Sequence, residues 1–167
     1  MNPYLPWLIA FLVIVAALAA AIPGVRRSAA LRLDKPWPLE AKHPLLTEPE
    51  RILYARLAQA FPQQIVLVQV QLLQALRFKR GAWNAAIANR ISQLSVDFLI
   101  VKPDTSIIAA VELDDASHAR AKRQAADARK AHALKSAGIP LVRFRVKHMP
   151  DVPSIQAAFA QASGEPT

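Results

Sequence analysis

The chain contains no cysteine, so disulfides, thiolate zinc sites and cysteine nucleophiles are excluded. The same absence fits a reducing compartment. There is no glycine-rich phosphate loop, which excludes a P-loop nucleotide site, and no internal repeat or low-complexity tract. Acid is the scarce sign: 12 Asp and Glu stand against 21 Lys and Arg, for a net charge of +9. Between Tyr4 and Ile22 there is no charge of either sign.

That uncharged run is long enough to approach the roughly 30 Å hydrocarbon core of a bilayer at about 1.5 Å per helical residue. Tyr4 and Trp7 stand where interfacial aromatics belong, and Pro3 and Pro6 fall where a helix start tolerates them. A cleaved signal peptide is the competing reading, with Ala19-Ala20-Ala21 as its cleavage site. Against it, no Lys or Arg precedes the run. Arg26, Arg27, Arg32 and Lys35 follow it, so the positive-inside rule favours a single-span anchor in the inner membrane, with the domain in the cytoplasm. All the net charge lies beyond the anchor. A basic domain beside a membrane has two natural partners, nucleic acid and anionic headgroups.

Residues 1–24 therefore read as the anchor and 25–46 as a juxtamembrane linker stiffened by Pro36 and Pro38. Residues 47–150 read as the domain, and 151–167 as a C-terminal helix and disordered tail. Thr47-Glu48-Pro49-Glu50 has capping-box spacing and opens a helix to about Ala60, with Ile52, Leu53, Leu57 and Ala60 on its buried side. Gln64–Leu72 reads as a strand. Arg77, Lys79 and Arg80 form a basic turn at Gly81, and Trp83–Ile91 reads as a helix. Ala119–Ala137 is a long basic helix closed by Gly138, and Ile139–Lys147 a last strand. The order predicts an α/β domain with a mixed sheet and helices on its faces.

The stretch Asp97–His118 is the most informative. Two apolar runs, Ser95–Lys102 and Ile107–Leu113, flank Pro103-Asp104-Thr105-Ser106. A hairpin with Asp104-Thr105 as its loop sets Lys102 against Ile107, Ile100 against Ala109 and Asp97 against Glu112. Asp114, two residues on, shares their face. Three such carboxylates repel one another unless a cation neutralises them, and oxygen donors suit magnesium or manganese. Solvated acids at a strand end are the plainer alternative.

This αβββαβ order, with Asp97 on the second strand and Glu112-Leu113-Asp114 on the third, resembles the PD-(D/E)XK nuclease superfamily. It is closer to a bacterial domain family of unknown function within it and to very-short-patch-repair-like endonuclease domains. Further matches are Glu112 to His118, the series Asp127, Lys130, Leu134, Gly138 and Arg143, and Glu50 on the first helix. The likeness covers Thr47–Lys147. It implies a restriction-endonuclease-like core and Mg2+- or Mn2+-dependent phosphodiester hydrolysis, with DNA as substrate. It also implies Asp97 and Glu112 as metal ligands and Glu50 as a further or water-mediated ligand. The chain departs from the pattern in one place: the superfamily's lysine is Asp114 here. His118 then activates water in its stead, as in very-short-patch-like relatives, or the domain is a silent module that binds nucleic acid, protein or anionic lipid.

Each residue has a plainer role too. Glu50 completes a capping box and His118 caps the following helix. Arg123, Asp127, Lys130 and Leu134 share a helix face, where Asp127 pairs with Arg123 or Lys130. Lys130 alternatively reaches a phosphate or steadies the acids. Arg143, Arg145 and Lys147 form a stripe that suits a phosphate backbone or simply keeps a strand soluble.

Overall fold

The computed structural model describes residues 4–21, 36–115 and 121–163. The chain divides into two compact units, Met1–Lys42 and His43–Thr167. The first holds α1, Leu5–Ala21, whose large apolar side chains are exposed on every side. No helix among the described residues is long and apolar enough to cross a membrane. The 17 residues of α1 reach about 25 Å, a little short of the hydrocarbon core.

The second unit runs α2 (Glu48–Ala60), β1 (Ile65–Gln71), α3 (Leu72–Ala75), α4 (Ala85–Ile91), β2 (Ser95–Val101), β3 (Ile107–Asp114), α5 (Ala121–Ser136), β4 (Leu141–Arg145) and α6 (Val152–Ser163). The strands form one mixed sheet in the order β1-β2-β3-β4. The first two pairings are antiparallel, as direct chain reversals allow. β4 is parallel to β3 because α5 carries the chain back to the same end.

Each sheet face has its own core. On one, Leu53 and Leu57 of α2 and Ile155 and Phe159 of α6 pack on Phe98, Ile100 and Val111. On the other, Leu72, Ile91 and Leu134, from α3, α4 and α5, pack on Leu99, Val101 and Ala110. Side chains of this size contribute about 1.5–3 kcal/mol each when fully buried. α6 is thus part of the packed unit, which continues past residue 150. Arg56 ties its start down by donating to Pro150 O at 2.6 Å, and Asp151 caps it by accepting from Ser154 N at 2.9 Å. Ile52, expected inside, is 41% exposed, because α2 turns only its 53/57/60 stripe to the sheet.

The β2–β3 hairpin keeps the expected pairings Ile100–Ala109 and Phe98–Val111, but its turn differs. Val101, not Lys102, pairs with Ile107 across an irregularity. Thr105 takes φ +67°, and Asp104 accepts from Ser106 N at 2.9 Å, which fixes a wider loop. That shift lies at the loop end; at the other end the pairing stops at Phe98–Val111, and Val96 and Phe98 join opposite cores, so side-chain alternation slips at Asp97. A second irregularity is Gln69, with φ +51° inside β1. Val66 and Val68 join the α2/α6 core, whereas Val70 joins the other; side-chain alternation slips at Gln69.

Candidate active site

The β2–β3 pairing ends at Phe98–Val111, and just beyond it the Asp97 carboxylate reaches across to β3 beside Glu112. Asp97 is half-buried and accepts from Leu113 N at 2.8 Å. Burial holds its carboxyl above the usual range, against the pull of that hydrogen bond and of Lys130; Glu50 and Asp114 push the same way as burial. Glu112 is 6% exposed and is pushed up to about 7, first by burial and then by the negative charge of Asp97. Its ion pair with Lys130, Nζ to Oε1 at 2.7 Å, opposes that rise without cancelling it.

Lys130 reaches Glu112 because α5 lies across the same sheet face. Leu134, one turn on, is fully buried against Ala110, so Lys130 is carried inward with it. Of the roles open to it, Lys130 takes the one beside the acids: it is buried and paired with Glu112, not with Asp127 or on an exposed nucleic-acid face. Asp114 takes the exposed guanidinium of Arg143 at 3.2 Å, an occupation not foreseen in the sequence. The basic stripe shortens accordingly: Arg143 is engaged, β4 ends at Arg145, and Arg145 remains exposed.

Glu50 shows the plainer of its two roles. Its Oε2 accepts from Thr47 N and Thr47 Oγ1, both at 2.7 Å, and its Oε1 accepts from Gln69 Nε2 at 3.2 Å. Gln69 falls between the pairs Val68–Phe98 and Val70–Val96, so α2, β1 and β2 meet at this point. No sequence signal marked Gln69; its left-handed backbone is visible only in the fold. Lys130 had a signal, its spacing of four from Leu134. Among the described residues no group of three or more His, Asp or Glu gathers as a ready metal cage. His118 lies outside the described residues, as does the tail 164–167, and the side chain of Arg123 is likewise undescribed.

The site's elements all fall within a stretch matched by the family model described as Protein of unknown function (DUF2726), residues 42–162. The chain belongs to that family. No curated protein matches it, and no solved structure does. In this DUF2726 domain, the chemistry therefore has to be argued from the carboxylate pair itself. Two carboxyls facing each other in a partly dry site are costly when both ionise. A hydrated hard cation is bound through one or two carboxylates, with water and substrate phosphate completing its shell. The pair Asp97–Glu112 fits that donor set.

Proposed function

We propose that this domain is a divalent-metal-dependent nuclease built on a restriction-endonuclease-like core, hydrolysing phosphodiesters of nucleic acid, DNA first. The observation that carries the reading is the cluster of half-buried Asp97 with buried Glu112 and Lys130 at one end of the sheet. Mg2+ or Mn2+ would be held by Asp97 and Glu112, and would supply Lewis-acid stabilisation of a phosphate oxygen. Leu113 N fixes one oxygen of Asp97, so the carboxylate is oriented before any ligand arrives. Lys130 brings an ammonium to Glu112 from α5, which offsets the lysine missing at position 114. There it steadies the ionised carboxylate and stands beside the charge that grows on phosphate as water attacks phosphorus and the P–O bond breaks. Glu50, held by Thr47 and Gln69, shapes the field at Asp97. By its likeness to very-short-patch-like domains, His118 takes the proton from that water.

Incubating the full chain in detergent with duplex DNA, single-stranded DNA and RNA, with and without Mg2+ or Mn2+, tests the reading. Strand scission is expected only with metal. His118→Ala is expected to slow turnover far more than it weakens binding. Asp114 in the lysine position favours a second reading, a silent module that binds nucleic acid, protein or anionic lipid. It predicts no scission with either metal and unchanged affinity in Asp97→Ala.

The N-terminal unit supports a further element, a membrane tether with the domain on the cytoplasmic side. A helix that is apolar all round has no face suited to water. Reporters fused after Lys35 check it: cytoplasmic reporter activity is expected, and periplasmic activity would reverse the topology.

A further inference from the structure

Between Glu50 and Asp97 the sequence holds no Asp or Glu, so residues 51–96 carry positive charge alone. The chain leaves the sheet after Gln71 and returns at Ser95, its β1 partner, with Leu72 N donating to Leu94 O at 2.8 Å. This excursion springs from the sheet end that bears Asp97, Glu112 and Asp114. Its Leu72 and Ile91 pack with Leu134, on the face from which Lys130 reaches Glu112. At its tip, Ala82 N donates to Lys79 O at 3.0 Å and Gly81 sits at φ +73°, closing a tight turn. A side chain at position 81 would force that left-handed backbone.

The turn brings Phe78 and Trp83 together, ring centroids 4.8 Å apart and edge to face at 64°. Phe78 is half-buried and props the indole, while Trp83 is 70% exposed. Arg77, Lys79 and Arg80 lie on the same turn, exposed, and none makes a salt bridge among the described residues. A propped indole with its surface in water and unpaired cations on the same turn matches an unstacked base flanked by phosphates. Bases inside a duplex are already stacked and offer an indole no free face.

We infer that the 76–84 loop is a binding surface for single-stranded nucleic acid, with Trp83 stacking on a base and Arg77, Lys79 and Arg80 meeting its phosphates. The inference rests on the proposed reading, since the excursion leaves the sheet at the end that bears the carboxylates, and names single strands or unpaired segments as what that site receives.

The test is binding, read without divalent metal so that no cleavage intervenes. Full chain in detergent is titrated with a labelled oligothymidylate, an oligouridylate and a blunt duplex. Single strands are expected to bind more tightly than duplex, and the two oligomers separate a DNA ligand from an RNA one. Trp83→Ala is expected to weaken single-strand binding by about tenfold or more, the usual scale for losing one base-stacking ring. Trp83→Phe keeps a ring and is expected to recover most of that loss, with an unchanged melting curve. Arg77→Gln, Lys79→Gln and Arg80→Gln together are expected to flatten the slope of log affinity on log salt by about two, at about 0.7 per phosphate contact. In a Trp7→Phe, Trp37→Phe background, oligothymidylate is expected to quench the remaining Trp83 emission. Equal single-strand affinity in Trp83→Ala would overturn the proposal. So would emission that brightens and shifts blue with phosphatidylserine vesicles and ignores the oligonucleotide, since the loop would then be a membrane contact. Trp83-dependent binding without metal-dependent scission would sink the nuclease reading alone. Scission with Trp83-independent binding would sink this proposal alone.

Discussion

Strand β3 carries two acids two residues apart, each held by a cation from a neighbouring element. Glu112 meets Lys130 of α5 at 2.7 Å, with side chains 7% and 11% exposed. Asp114 meets Arg143 of β4 at 3.2 Å, with side chains 45% and 34% exposed. The inner pair sits where water cannot solvate an unpaired charge, and even with its lysine Glu112 is pushed up to about 7. The outer pair is screened on its open side and belongs to a class whose net worth is about 0–1 kcal/mol. One strand therefore holds a solvent-screened ion pair and a buried one within a single pleat. Burial, not the count of acids, separates them.

The largest expected effect comes from breaking the inner pair. Lys130→Met leaves Glu112 buried without a counter-charge and is expected to cost about 3–5 kcal/mol near pH 8, by urea unfolding. The loss is expected to shrink toward pH 5, where Glu112 carries a proton. Adding Glu112→Leu to Lys130→Met is expected to restore most of the stability, because no buried charge remains.

Next in size is the pH dependence of the metal-free chain. The folded protein binds the Glu112 proton more tightly than the unfolded chain does. The stability contributed by the Glu112 proton is therefore fully present below the ordinary Glu value of 4.5 and is lost as pH rises through about 7. The expected fall is on the order of 2 kcal/mol, read from chemical denaturation at each pH. Saturating Mn2+ is expected to flatten it, since the bound cation neutralises the carboxylate. A metal-free curve that is level across this window would place Glu112 in an ordinary environment.

The smallest effect sharpens the contrast. Arg143→Ala is expected to change stability by less than about 1 kcal/mol. Comparable losses from Arg143→Ala and Lys130→Met would remove the distinction between the two pairs.

Much of this architecture was legible in the residues. Alternating and continuous apolar runs marked the strands, Thr47 to Glu50 marked the start of α2, and Gly138 marked the end of α5. The nearness of Asp97 to Glu112 followed from counting out from the turn, although the pairing itself ends at Phe98–Val111. The irregularity lies between Ile100 and Val101, at the far end of the hairpin. What the sequence did not reveal were contacts across elements. Lys130 could be read as pairing Asp127, reaching a phosphate or steadying the acids, and only the packing of Leu134, which brings its turn inward, selects Glu112 as its partner. Arg143 looked free for phosphate, because the parallel register setting it beside Glu112 and Asp114 depends on where α5 returns the chain. Gln69 carried no local signature at all.

Calorimetric titration of the full chain with Mn2+ at pH 6 and pH 8 tests the central claim most directly: Asp97 and Glu112 form a metal-binding pair held ready by Lys130. The account predicts binding in the parent that tightens as pH rises through about 7, because the cation must displace the Glu112 proton. It predicts loss of that binding in Asp97→Ala and Glu112→Ala and its retention in Asp114→Asn. No heat of binding at either pH, or a titration that Asp97→Ala leaves unchanged, would contradict it.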